Sequence, residues 1–234
     1  MSSDFLNQLK NKELTVDERL DALFHLSQQY EPECFEPLFH LLNDDGEEMD
    51  IRAAIALCFG KFGELSLSEE VRAPFFHALA NLRNHTEGKI RTYVMMGFGM
   101  MGEPAAIPLI IEALSDEDNT VFYAAADALV KMGRDALPYL TDLIRDGHEE
   151  DIRCVAAWKL GELGYSDSIE VLVSIVEDET TPSELKALSV WALGEIGHRT
   201  REVIDTLDAA LQDPDSNIHE RARLALKKIA RHSN

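Results

Sequence analysis

The residues DIRCVAAWKLGELG, from Asp151 to Gly164, have relatives along the whole of this 234-residue chain. They recur as DIRAAIALCFGKFG from Asp50 to Gly63, KIRTYVMMGFGMMG from Lys89 to Gly102, TVFYAAADALVKMG from Thr120 to Gly133 and ELKALSVWALGEIG from Glu184 to Gly197. Weaker copies are ERLDALFHLSQQY, from Glu18 to Tyr30, and IHERARLALKKIA, from Ile218 to Ala230. Taking the residue before the usual arginine as a marker places the copies at 18, 51, 90, 121, 152, 185 and 218, at intervals of 33, 39, 31, 31, 33 and 33 residues. Such a period belongs to chains that repeat one supersecondary unit, each too small to bury its apolar face without a neighbour.

Within a copy, Ile152, Ala156, Leu160 and Leu163 share one helix face, as do Ile51, Ile55, Phe59 and Phe62. The glycine at 63, 102, 133, 164 or 197 falls where that helix is expected to stop and the chain to turn back. A second helix follows, as in AAIPLIIEAL from Ala105 and DSIEVLVSIV from Asp167, with Pro104, Pro108 and Pro138 early in it, where a missing amide costs least. The pattern predicts an all-α superhelix, or solenoid, of about six helix pairs plus a C-terminal capping helix. It is read as a single repeat domain over residues 1–234, its repeats beginning near 18, 51, 90, 121, 152 and 185, with a terminal half-repeat near 218. The last copy carries Arg221, Arg223, Lys227, Lys228 and Arg231, which suits a helix shielding the final apolar face. The long connection after Gly63 predicts either a lengthened second helix or an added loop.

Charge narrows the partners. The chain has 43 Asp and Glu against 22 Lys and Arg, a formal net charge of −21, so a nucleic acid or an anionic membrane is disfavoured as a partner. The excess recurs in the segments Asp44 to Asp50, Asp116 to Asp118, Asp146 to Asp151, Glu177 to Glu184 and Asp213 to Glu220, which read as turns between repeats and as helix starts. Arg19, Arg52, Arg91 and Arg153, with Lys186 as a substitute, are expected to bridge to carboxylates in those turns, while Phe122 and His219 break the series. No segment reads as a signal peptide or a membrane span, and three cysteines without a CxxC motif argue against a disulfide scaffold. A cytoplasmic setting is expected.

The line of hydrophobic-Arg, small residues, Leu-Gly and a closing Gly, as in IRCVAAWKLGELG and LKALSVWALGEIG, resembles the HEAT-like repeats of the phycobiliprotein lyase type over roughly Val16 to Ala230. That resemblance implies stacked helix pairs. It also implies one of several roles: a subunit that attaches or removes bilins, a factor in phycobilisome turnover, or an adaptor without chemistry. Lyases of this kind often work with a second HEAT-like subunit.

The residues that carry chemistry are dispersed. Eight histidines form no HExxH motif and no His and Cys cluster, so no metal or other cofactor is assigned. Deoxyhypusine hydroxylases also consist of HEAT-like repeats and hold iron with His-Glu pairs reused in both halves. Here the only such pairs, His148 with Glu149 and His219 with Glu220, stand at different registers. Cys34, Cys58 and Cys154 also differ in register and read as core residues, with a thiol or metal role as the alternative. No catalytic set is named.

The sixth residue after the marker is Leu57, Met96, Asp127, Trp158 or Trp191. It lies roughly 150 degrees from the centre of the core stripe on a helical wheel. Trp158 and Trp191 are therefore candidates for an outward aromatic step, unless neighbouring first helices cover them. Met96 and Met100, in the methionine-rich TYVMMGFGMMG, are candidates for a pliable patch, with core filling as the alternative. Phe75 and Phe76 lie in the individual connection, and Tyr139 on a second helix. These seven residues are the expected interaction set. The leading functional reading is a noncatalytic adaptor or assembly factor binding one or more proteins, with a basic partner surface fitting the acidic body. The alternative is a phycobilin lyase subunit or another chromophore-handling protein, paired with a second HEAT-like subunit.

Overall fold

The computed structural model of the chain describes residues 2–28, 31–64, 68–145 and 149–231. The helices group into two units, Met1–Met132 and Gly133–Asn234. The first unit holds α1 (Ser2–Lys10), α2 (Val16–Ser27), α3 (Phe35–Leu42), α4 (Met49–Glu64), α5 (Glu69–Leu82), α6 (Gly88–Met101), α7 (Ile107–Glu112) and α8 (Asn119–Lys131). The second holds α9 (Leu137–Arg145), α10 (Glu150–Leu163), α11 (Ile169–Glu177), α12 (Ser183–Ile196), α13 (Arg201–Ala210) and α14 (Ser216–Arg231). Short 3-10 turns lead into or out of several helices, and no strand occurs among the described residues. The architecture is the all-α superhelix of helix pairs, with the repeated line on the even-numbered helices. Helix α1, ahead of the first copy, is an element the repeat did not predict.

In the first unit α2 packs on α4, α4 on α6 and α6 on α8. In the second, α10 packs on α12 and α12 on α14, while α11 lies against both α9 and α13. Two registers produce this stacking. The core register places Ile51, Ile55, Phe59 and Phe62 with no exposed surface, each side chain contributing roughly 1.5–3 kcal/mol on burial. The second register sets the glycine nine residues after a marker against the small residue seven after the next marker, so that Gly60 meets Gly97, Gly161 meets Ala192 and Gly194 meets Ala225. A Cβ built on Gly60 would enter the Gly97 backbone, and one on Gly194 would lie 2.6 Å from Ala225 Cβ. These inner glycines allow successive backbones to touch.

Of the five closing glycines, Gly102, Gly133, Gly164 and Gly197 have positive φ and Gly63 does not. Gly102, Gly164 and Gly197 terminate α6, α10 and α12 with φ of 64°, 69° and 69°, a left-handed cap that glycine adopts without a Cβ penalty. Gly63 does not close its helix. It is buried inside α4, which continues to Glu64, and Met101 covers it. The long connection resolves as a lengthened second helix, since α5 has 14 residues; residues 65–67 lie outside the described set. Helix α14 buries only Ile218, Ala222, Ala225 and Ile229, a single stripe, and leaves Arg223, Lys227 and Arg231 exposed, as the capping expectation requires.

The arginine series does more than bridge carboxylates. Arg19 Nε donates to the Leu9 carbonyl at 2.7 Å, Arg52 Nε to Leu42 at 2.9 Å and Arg153 Nε to Ile144 at 3.0 Å, each near the C-terminal end of the preceding second-position helix. Those carbonyls have no partner inside their own helices, and a cation there also suits the helix dipole. His219 keeps this bond, with Nδ1 2.7 Å from the Leu211 carbonyl, whereas Arg91 Nη1 donates to the turn carbonyls of His85 and Thr86 instead and Phe122 has no side-chain donor. The helix before Phe122, α7, is six residues long and ends in the 3-10 turn Ala113–Ser115. Three of the arginines also reach forward to the next turn. Arg19 Nη2 meets Glu47 at 2.7 Å, Arg91 grips Asp116 with two bonds of 2.7 Å, and Arg52 Nη2 meets His85 Nε2 at 3.1 Å.

Four of the five acidic segments serve the turns, and the fifth, Asp146 to Asp151, begins outside the described residues. Asp44 accepts the Gly46 amide, Asp116 that of Asp118, Asp178 that of Thr180 and Asp213 that of Asp215, while Asp118 caps α8 through the Thr120 amide. Much of the excess negative charge is therefore turn and cap chemistry.

Candidate interaction surface

The outward register of the first helices is the most unusual surface of the chain. The sixth residue after each marker is Phe24 on α2, Leu57 on α4, Met96 on α6 and Asp127 on α8 in the first unit, and Trp158 on α10, Trp191 on α12 and Leu224 on α14 in the second. Phe24 is 59% exposed, Met96 38% and Leu224 49%. Leu57, Trp158 and Trp191 are half-buried. Each unit thus carries its own row of large apolar side chains on a face where polar residues are the expectation for a surface helix. Phe24 and Leu224 belong to the row in the two weaker copies, where sequence reasoning missed them; laying those copies on the same wheel finds both.

The neighbours of these side chains hold them in place. Lys61 Nζ lies 5.7 Å from the Phe24 ring centroid, and Lys159 Nζ lies 3.8 Å from that of Trp158. Lys159 is itself buried and pairs with Glu162 at 2.9 Å. The Trp191 indole lies over Gly161, where an added Cβ would come within 2.8 Å of Cζ3. Trp191 and Leu224 line a shallow groove with Gly194, Glu195, Arg221 and Lys228, in which Lys228 pairs with Glu195. The row of the second unit is therefore charge-balanced along its edge, in a chain whose total charge is strongly negative.

The expected interaction set separates into three groups. Met96, Met100, Trp158 and Trp191 lie on first helices with Met96 exposed and the other three half-buried, whereas Met95 and Met101 are core residues. Phe76 and Tyr139 lie on second helices, Phe76 half-buried against Phe98 at 5.7 Å between centroids and Tyr139 exposed. Phe75 does not belong to a surface. It has no exposed area and packs among Phe35, Phe59 and Phe62 at centroid distances of 5.1, 5.2 and 5.5 Å. The reason is helical geometry: Phe75 and Phe76 are adjacent and so point about 100 degrees apart.

The remaining chemistry is quiet. The three cysteines are free. Burial raises the pKa of Cys34 and of Cys58, and that of Cys154 is pushed up to about 11 by partial burial and by Glu150, Glu184 and Asp151. These thiols are poorly ionised at neutral pH. Among the described residues no group of three or more His, Cys, Asp or Glu is placed to hold a metal ion. His148 lies outside the described residues, and in the second pair His219 meets the Leu211 carbonyl while Glu220 binds Arg223. No helix among the described residues is long and apolar enough to cross a membrane.

Stacked antiparallel helix pairs, repeated with one arginine register and one glycine register, define an α-helical repeat protein. The family profile for HEAT repeats matches residues 76–158 and again 147–227, more than half of the chain, and the chain belongs to the HEAT-repeat family. Its structure is similar to that of YibA from E. coli, with a TM-score of 0.53, 18% identity, and coverage of 98% of this chain and 92% of that one. It is also similar to the complex of CpcE and CpcF of phycocyanin lyase from Nostoc sp. PCC7120, with a TM-score of 0.50, 18% identity, and coverage of 100% and 88%. Human deoxyhypusine hydroxylase aligns with a TM-score of 0.45 and 18% identity over 98% and 96%. No curated protein sequence matches the chain significantly.

Proposed function

We propose that the chain is a noncatalytic protein-interaction scaffold that binds its partner through the outward rows of its first helices. The observation that carries this reading is the recurrence of a large apolar side chain at one outward register in six of seven copies, with Phe24, Met96 and Leu224 exposed. Aromatic and methionine side chains are enriched at the cores of protein interfaces, and those held by neighbouring groups lose little entropy on binding. A partner with a basic surface fits best: the rows supply apolar contact, and the net charge of −21 speeds encounter and rejects acidic competitors.

The likeness to the CpcE and CpcF complex favours a second reading, in which the chain pairs with another HEAT-like subunit in handling a bilin. One experiment separates the two. Tagged protein is used as bait in the soluble extract of its native host, beside the variants Met96→Glu and Leu224→Glu and the control Tyr139→Ala. The scaffold reading expects a colourless complex whose partner is lost about tenfold or more in the two row variants and kept in the control. A partner retained equally by all four baits contradicts it. A complex absorbing in the visible range, with a second HEAT-like chain, moves the assignment to chromophore handling.

A further inference from the structure

The forward contacts of the arginine series are not equivalent. Arg19 ends on Glu47 and Arg91 on Asp116, both carboxylates within the next turn, but Arg52 ends on an imidazole, His85 Nε2, at 3.1 Å. Arg52 also comes within 3.2 Å of Asp45, whose side chain is 94% exposed and so a weak anchor. A guanidinium only donates, so His85 holds Arg52 only while Nε2 carries a lone pair. The other ring nitrogen faces a donor too, since the Glu87 amide lies 3.0 Å from Nδ1. A neutral imidazole has one accepting nitrogen for these two donors, and a protonated one has none.

The surroundings oppose a proton on that ring. Arg52 approaches from α4, and Arg91 from α6 donates to the His85 carbonyl at 2.8 Å, so two guanidinium groups lie next to it. Asp45 in the turn before α4 and Glu87 in the turn before α6 act in the other direction. Burial is the largest influence and the charge of Arg52 the next; together they hold His85 below the ordinary histidine range.

We propose that the contact between α4 and the turn leading into α6 is a proton-sensitive joint, closed while His85 is neutral and released when it is protonated. Carboxylates at the Glu47 and Asp116 contacts keep accepting well below pH 6, so this is the contact among the three that opens in the mildly acidic range. The sign follows from the depressed folded value. Above the ordinary histidine pKa the ring is neutral folded or unfolded and costs nothing. As pH falls below it the unfolded chain gains a proton that the closed joint refuses, and the closed state loses ground.

Hydrogen exchange by mass spectrometry at pH 7.5 and 5.5, with labelling times corrected for intrinsic rates, tests this on the full chain. The expected result is a several-fold rise in exchange at pH 5.5 in peptides covering residues 83–91, with the turn at Asp116 unchanged and with no rise in His85→Gln, whose amide cannot titrate. An equal rise in His85→Gln, or none in the native chain, overturns the proposal. Should His85→Gln fail to fold, the NMR titration of the His85 ring decides: a value at or above that of an unperturbed histidine overturns it.

Discussion

Replacing Gly60 with alanine is expected to destabilise the first unit by about 3 kcal/mol, at the upper end of what overpacking usually costs. The added methyl group would enter the Gly97 backbone rather than a side chain that can swing aside. Relief therefore requires α4 and α6 to move apart, which also loosens Phe59 and Phe98, both fully buried on those helices. Gly102→Ala is the informative contrast. Its site has a φ of 64° but nothing within 4 Å of the added atom, so it should cost only about 1–2 kcal/mol of backbone strain. Urea unfolding followed by circular dichroism measures both, and a Gly60→Ala loss below that of Gly102→Ala would show that the helix contact is not tight.

The second large effect concerns Arg19 and Glu47, whose side chains are 3% and 0% exposed. Removing one partner leaves the other charge buried and unpaired, so Arg19→Ala or Glu47→Ala should each cost about 3–5 kcal/mol. Arg19→Met with Glu47→Leu should recover part of that loss, because two apolar groups leave no stranded charge. The pair also predicts a pH dependence. Burial pushes the Glu47 carboxyl up, but the hydrogen bond from Arg19, the Glu48 amide and the Arg19 and Lys12 charges outweigh it and leave the pKa lowered. Its stabilisation is thus present above the ordinary glutamate value of about 4.3 and is lost as pH falls through the lower folded value. The stability gap between the native chain and Glu47→Gln should hold from pH 7 to about 5 and close below that range. A gap independent of pH down to 2 would mean that Glu47 is not ionised in the folded chain.

How much of this was legible in the sequence depends on what decides each feature. Helix pairing, the core face of Ile51, Ile55, Phe59 and Phe62, and the caps at Gly102, Gly164 and Gly197 follow from local periodicity and backbone preference, and all were readable. Features set by a neighbour were not. Gly60 and Gly97 look like helix-weakening residues until two helices are laid together, and Gly63 looks like a stop until Met101 covers it. Helix α1 carries no copy of the repeated line, yet its Leu9 carbonyl receives Arg19 as Leu42 receives Arg52. Phe75 and Phe76 were indistinguishable as neighbours in the chain, and only packing sends the first into the core. The sequence leaves Trp158 and Trp191 either outward or covered, and each is half of both, because a first helix in a stack shares one flank with its neighbour. His219 interrupts the arginine series by residue type, yet its imidazole N–H reaches the carbonyl at the equivalent place.

Site-specific photocrosslinking most directly tests the claim that the outward rows are the partner-binding face. A photoreactive residue is placed at position 96 or 224 on the rows, or at 139 on a second helix, and each protein is irradiated in extract of the native host. Adducts to one common protein are expected from 96 and 224, and none from 139. Adducts confined to 139, or different proteins captured at the two row positions, would contradict it.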